Sequence, residues 1–242
     1  ATSSMDWCEE NYIVSFYIAE WWNTLTNLNY MVLALIGLWS ARKTKSELRC
    51  YLPYIGLFVI GVGSWLFHMT LTRQLQLSDE LPMIWGMTLY VYCLWNVFGG
   101  RDIPSLVILA IYSIGTSIYY TITFNFHIFA AAFGVLVLVV GILPIYQIWK
   151  LSKTNPGHTR ELAIILTVAI SGYLIAFGFW NTDNLACDQL RELRGKIGIL
   201  SVFLQFHGWW HMWTGLSAYC LYLLANYMRL ITQGNKDVYV KW

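Results

Sequence analysis

Residues Ile103 to Trp149 read IPSLVILAIYSIGTSIYYTITFNFHIFAAAFGVLVLVVGILPIYQIW, 47 consecutive positions without an Asp, Glu, Lys or Arg. A helix needs about 20 apolar residues to cross the hydrocarbon of a bilayer. This run therefore holds two crossings, and the Thr, Asn and aromatic residues around Thr121 to Asn125 place the turn between them. Five further uncharged runs flank it: 21 residues between Glu20 and Arg42, 23 between Arg49 and Arg73, 20 between Glu80 and Arg101, 21 between Glu161 and Asp183, and 32 between Lys196 and Arg229. None shows sustained two-residue alternation, so a β-barrel is rejected and only helices remain to satisfy the backbone in lipid. The expected fold is an all-α membrane protein, a bundle of seven transmembrane helices in a single domain over 1–242. Its predicted spans are approximately 21–41, 50–72, 81–99, 103–121, 126–149, 162–182 and 198–228, behind an acidic segment at 1–20.

Composition agrees. Of 242 residues, 57% are hydrophobic, 17% aromatic and only 12% charged, where a soluble domain carries roughly 25% charge. Mean hydropathy is +0.52. So few charges cannot cover a globular surface, and disordered, collagenous and small disulfide-framework chains are excluded as well. A net charge of +2 without a basic run excludes a nucleic-acid partner. The loops are short, no internal repeat points to transporter halves, and Asn155-Pro156-Gly157 is a turn. No signal-peptide pattern precedes the first run, and because the chain opens on Ala1, residues are expected to precede it.

Loop charge sets the orientation. With seven spans, Arg42, Lys43, Lys45, Arg49, Arg101, Lys150, Lys153, Arg160, Arg229, Lys236 and Lys241 share one side, 11 of the 15 basic residues. The other side keeps Arg73, Arg191, Arg194 and Lys196, with nine of the 13 acidic residues. The positive-inside rule then predicts a cytosolic C-terminus and a lumenal or extracellular N-terminus.

Five polar groups lie in or beside the apolar runs, where such groups are costly and usually functional: Ser64, His68, Asp79, His207 and His211. His207 and His211 are spaced i, i+4, so both leave one helical face. Ser64 and His68 repeat that spacing. Counting from the flanking charges brings all five to one depth near the lumenal surface. Three imidazoles from two helices with an open fourth position form the ligand set of a catalytic zinc site, and no cysteine lies at that depth to close it. His127 reads as helix packing and His158 as a solvated loop residue.

The same residues carry a family resemblance. Gly63-Ser64-Trp65-Leu66-Phe67-His68-Met69-Thr70-Leu71, then Asp79-Glu80-Leu81-Pro82-Met83 and Gln205-Phe206-His207-Gly208-Trp209-Trp210-His211, resemble the alkaline ceramidase family. Asp6-Trp7-Cys8-Glu9-Glu10-Asn11-Tyr12 and Trp180-Asn181-Thr182-Asp183-Asn184 fit it too. The bare Ser-x-x-x-His and His-x-x-x-His spacings are shared with a wider hydrolase superfamily that includes the adiponectin receptors. The resemblance implies an intramembrane amidase that hydrolyses ceramide to sphingosine and a fatty acid in the endoplasmic reticulum or Golgi membrane. In it His68, His207 and His211 would bind zinc, Asp79 would be the general base and Ser64 would stabilise the oxyanion. The alternative for Ser64 is a small polar residue packed between helices.

Acidic residues crowd the N-terminal segment. Asp6, Glu9 and Asn11 with the Trp7 carbonyl are hard oxygen donors of the kind calcium takes, although the spacing is not that of an EF-hand loop; the plain reading is a solvated acidic cap. The resemblance assigns these positions, with Glu20, to a calcium site. Cys8 and Cys187 both fall on the lumenal side, where a bond between them is allowed, whereas Cys50, Cys93 and Cys220 should be free. The rival functional readings are a seven-helix adiponectin-receptor-like receptor with weak or no hydrolase activity, and a transporter. The Asp-Arg-Tyr and Asn-Pro-x-x-Tyr segments of rhodopsin-like receptors are absent.

Overall fold

The computed structural model describes residues 2–99 and 102–234; Arg101, Lys236 and Lys241, counted above for orientation, lie outside them. Residues 2–20 are irregular, and the regular elements of the described residues are all helical: α1 (Trp21–Thr26), α2 (Leu28–Lys43), α3 (Leu48–Thr70), α4 (Arg73–Trp95), α5 (Ile103–Thr123), α6 (Phe126–Ser152), α7 (Thr159–Leu185), α8 (Cys187–Ile197) and α9 (Phe206–Thr232), with short 3-10 turns at Pro156–His158 and Gly198–Leu204. By length and hydropathy four stretches could cross a membrane: Leu48–Thr70, Ile103–Thr123, Phe126–Ser152 and Pro156–Leu185. Along α5 only Ser113 and Tyr120 are buried, and Ile108, Ile111 and Ile122 stand 66%, 67% and 74% exposed. An outer face so apolar needs lipid as its solvent.

Several boundaries differ from those expected. The run at 21–41 breaks into α1 and α2 at Asn27. There Asn27 Nδ2 and the Thr24 and Thr26 hydroxyls bond back to carbonyls of Asn23, Glu20 and Trp22, and such back-bonding bends helices. The expected span at 81–99 is the distal part of a helix that already begins at Arg73, because Leu71 turns the chain in the left-handed region and Thr72 is extended. Asp79 therefore sits inside a helix and not at its start. The last long helix begins at Phe206 and not at 198, after the 3-10 turn, and a further helix, α8, occupies the stretch between the last two expected spans. The turn between α5 and α6 falls at Phe124–Asn125, with Asn125 capping α6 through the His127 amide.

α9 packs against α7 and α2, and also meets α1 and α3; α4 links α3 to α5 and α6. The α3–α4 contact is extensive and close at Gly63, and it has a local cause. Pro82 has no N–H to give Ser78, four residues earlier, so the Ser78 carbonyl is left facing outward from the α4 ladder. Gly63 of α3 lies against it: a Cβ at Gly63 would stand 1.9 Å from Ser78 O and 2.7 Å from its carbon. The pair brings Ser64 to Asp79, the next residue on each helix.

The N-terminal segment folds back as a cap on the end of α3. Glu20 N donates to His68 O (3.0 Å), Ala19 N to Met69 O (3.0 Å), and Thr2 N and Ser3 N to Leu71 O. These bonds satisfy carbonyls that a helix C-terminus leaves without partners. Trp7, Ala19, Phe67 and Leu71 form a small apolar cluster under the cap, apart from the main core.

Replacing Gly63 by Ala should force α3 from α4 and lower Tm by about 5 °C or more. Gly115→Ala, where nothing lies within 4 Å of the added carbon, should leave Tm unchanged; a thermal scan of both variants checks this.

Candidate active site

His68 lies in the last turn of α3, and His207 and His211 in the first two turns of α9. Ring centroids are 5.1 Å apart for His68–His207, 4.9 Å for His68–His211 and 4.6 Å for His207–His211. One ligating atom from each lies within 4.8 Å of the others. Among the described residues no other group of His, Cys, Asp or Glu converges this closely.

All three rings are buried, and their hydrogen bonds decide which nitrogens are free. His68 Nδ1 is 2.5 Å from Glu20 Oε2; with Glu20 ionised, Nδ1 carries the proton and Nε2, which has no hydrogen-bond partner, presents a lone pair. His211 Nδ1 is 2.9 Å from Thr26 Oγ1. The Thr26 hydroxyl donates to the carbonyl of Trp22, so His211 Nδ1–H is the donor here and its Nε2 is the bare atom. His207 Nδ1 is also buried without a partner. Its ring is stacked on Trp7 at 3.8 Å between centroids and 19° between planes. Buried nitrogens left unpaired this way fit a cation bound by lone pairs. Imidazole nitrogens suit zinc, copper, iron or nickel.

Asp79 and Ser64 border the same chamber. The Ser64 hydroxyl is hydrogen-bonded to the Asp79 carboxylate, and Ser64 is buried while Asp79 keeps part of its surface toward the cavity. The chamber, of about 190 Å³, is bordered by Ser64, Asp79, Glu80, His207 and His211. It shares the lining residues Tyr30, Ile60, Met83, Phe133, Tyr173 and Trp210 with an adjoining apolar tunnel of about 270 Å³, lined further by residues such as Leu57, Val140 and Leu221. Geometry therefore joins a three-nitrogen centre, a carboxylate–hydroxyl pair and an apolar tunnel.

The cap supplies the roof. Glu9 accepts the Trp22 and Asn23 amides (2.7 and 2.8 Å), capping α1, and Glu20 accepts from Trp7 N and Asn23 Nδ2 besides His68. Asn11 Nδ2 donates to Asp6 Oδ1 at 3.0 Å, while Asn11 Oδ1 is buried with no partner. Burial pushes the Glu9 carboxyl up to about 7 and that of Glu20 up to about 8, with their mutual repulsion and that of Asp6 adding to it. Cys8 and Cys187 form a disulfide, with 5.3 Å between Cα atoms. It ties the cap to α8. Cys50, Cys93 and Cys220 are free.

Two contributors escaped the reading of the sequence. Asp183, buried at the end of α7, accepts Cys8 N through Oδ2 (3.1 Å) and His207 N through Oδ1 (3.2 Å), so one carboxylate aligns both cap and metal-site helix. Its signal was an acid closing an uncharged run. Glu20 was expected as an oxygen donor of the cap, and its bond to His68 Nδ1 places it equally in the histidine centre.

A sequence model of the family described as Ceramidase matches residues 1–242. Mouse alkaline ceramidase 3 is 38% identical over 238 residues, covering 95% of this chain and 85% of its own length. The alkaline ceramidase YPC1 of Saccharomyces cerevisiae is 38% identical over 252 residues, covering 96% and 78%. The alkaline ceramidase of Arabidopsis thaliana is 28% identical over 235 residues, covering 96% and 86%.

Replacing Asp183 by Ala leaves two buried amides unpaired and should cost about 2 to 4 kcal/mol of stability. A thermal scan should show it, together with faster reduction of the Cys8–Cys187 bond by a mild thiol.

Proposed function

The chain belongs to the ceramidase family, and on that premise we propose that it is a zinc-dependent intramembrane amidase that cleaves ceramide into a sphingoid base and a fatty acid. The observation that carries the reading is the convergence of His68, His207 and His211 beside the Asp79–Ser64 pair, at the head of an apolar tunnel. Those three histidines would hold the ion, with Glu20 and Thr26 fixing the tautomers of His68 and His211. Zinc so held supplies Lewis acidity, lowering the pKa of a bound water to about 7 and polarising the amide carbonyl.

The chain's own groups do the rest. Asp79, oriented by the Ser64 hydroxyl, takes the proton of the attacking water and later passes it to the departing amine. Once Asp79 holds that proton it no longer needs the Ser64 hydroxyl, and Ser64, next to Gly63 on the helix that holds His68, turns to donate to the oxygen that gains charge. The tunnel walls accept one alkyl chain and exclude water from it, while Trp7 shields His207 from the cap side.

The membrane arrangement proposed is seven crossings with the cap on the lumenal face of the endoplasmic reticulum or Golgi membrane. The disulfide supports it, since such bonds persist in oxidising compartments. The long helices α4 and α9 stand outside the four most apolar stretches; the charged and polar groups they carry include Asp79, Glu80, His207 and His211, which border the chamber.

The cap residues Asp6, Glu9, Asn11 and Glu20, with the Trp7 carbonyl, are proposed to hold calcium. Supporting this are the unpartnered Asn11 oxygen and the two carboxyls whose ionisation burial opposes. The ion would supply the positive charge those acids lack.

His207→Ala and Asp79→Asn should each cut turnover of a labelled ceramide by the purified protein by at least about 10³-fold. Elemental analysis should then find zinc lost from the first variant and kept by the second; a fully active Asp79→Asn protein would refute the assignment.

For the cap, the sign follows from linkage. Unfolded, Glu9 and Glu20 ionise near 4.5; folded, they stay protonated until about 7 and about 8. Stability contributed by these groups is thus full below pH 4.5 and lost as pH rises through their folded values. With a calcium-selective chelator present, Tm should fall between pH 5 and 8, and added calcium should flatten that slope.

A further inference from the structure

One buried acid in the chamber has no part in the chemistry above. Glu80 follows Asp79 on α4, is 5% exposed, and borders the chamber together with Ser64, Asp79, His207 and His211. Its Oε2 accepts the Tyr120 hydroxyl of α5 and its Oε1 accepts Gln76 Nε2 at 3.1 Å. Gln76 is itself fixed from the cap, where Ser4 N donates to its Oε1 at 2.8 Å. The carboxyl group is thus held by two donors, one of them braced by the cap.

Resting on the ceramidase reading, we infer that Glu80 is the residue that recognises a hydroxyl of the sphingoid base beside the amine-bearing carbon. Successive helical positions point about 100° apart, so a chamber bordered by both Asp79 and Glu80 wraps two sides of α4. One side faces the scissile amide; the other faces whatever is attached next to its nitrogen. In ceramide those neighbours are two hydroxyl groups, one on either side of the amine carbon. With Cα atoms only about 3.8 Å apart, an amide placed at Asp79 brings such a hydroxyl to Glu80.

The chemistry of the acceptor selects the donor. A carboxylate offers about four lone-pair positions, and Tyr120 and Gln76 take two of them. A structural link between those two side chains needs only a neutral amide at position 80. A carboxyl group there keeps lone pairs beyond those two, and in a buried site only a ligand with its own O–H or N–H satisfies them. The tunnel adjoining it carries no such donor need, so selection by hydroxyl is separated in space from selection by chain.

The test compares three substrates of equal acyl chain in mixed micelles: ceramide, and the analogues lacking one or the other hydroxyl flanking the amine. Wild-type protein should favour ceramide over at least one analogue by about 10- to 100-fold in kcat/KM. Glu80→Gln should bring that ratio within about threefold by lowering ceramide turnover while sparing the analogue. Glu80→Asp, which keeps the charge, should retain part of the preference, and it decides the matter with the wild-type ratio if Glu80→Gln does not fold. Equal turnover of all three substrates by wild-type protein, or an equal loss on all three in Glu80→Gln, would overturn the inference. Wild-type protein inert toward all three would instead sink the ceramidase reading, a result that uniform turnover cannot mimic.

Discussion

The hydrogen bond between Glu20 and His68 joins the two halves of this molecule. Glu20 is fully buried and belongs to the cap; His68 belongs to the bundle and to the nitrogen cluster. Their backbones are joined as well, because Glu20 N closes the His68 carbonyl at the end of α3. A buried carboxylate is tolerated only when several donors surround it, and here Trp7 N, Asn23 Nδ2 and His68 Nδ1 do so at once. The cap is therefore no loose appendage. Displacing it would strip the proton-bearing nitrogen of His68 of its acceptor and disturb the lone pair on the opposite side of the ring.

The second constraint is the approach of α3 to α4. Ser64 and Asp79 meet because the residues before them, Gly63 and Ser78, touch backbone to backbone. Two features of the sequence make that possible, the missing side chain of Gly63 and the missing amide of Pro82. Neither contacts the chamber chemistry directly. Their role is to set a separation, and a methyl group at Gly63 would change it by more than the packing can absorb.

Much of this was legible in the residues. Gaps between charges located the long helices, and the i, i+4 pairs Ser64–His68 and His207–His211 pointed to one centre at one depth. The acids of the cap were visible as donors, and Cys8 and Cys187 as possible partners. What stayed hidden depends on backbone detail that composition does not carry. The early start of α4 follows from the left-handed Leu71, which no hydropathy count registers. The break at Asn27 follows from side chains bonding back to their own helix. Asp183 looked like a boundary charge, and only the fold shows it accepting amides from Cys8 and His207, residues far from it and from each other in the chain. Long-range roles of this kind belong to single polar atoms, while run lengths report averages over a turn or more.

A hydrolase buried in lipid must bring water and alkyl chain to one point, and the cavities divide that task by polarity. The tunnel beneath the histidines is walled by aliphatic and aromatic side chains. On the cap side a cavity of about 620 Å³ sets Ser4, Asn125, His127, Asn181 and Asn184 among apolar neighbours such as Met5, Phe124 and Leu185, and it shares Phe126 and Trp180 with the chamber. Water held by such amides has several hydrogen-bond partners, whereas in the tunnel it would have almost none. On the proposed reading, Phe126 and Trp180 mark the boundary between the two solvents, and the three imidazoles stand where they meet. Catalysis then needs no aqueous channel through the bundle: polar groups confined to one end suffice, and the rest of the interior stays dry enough to hold a chain.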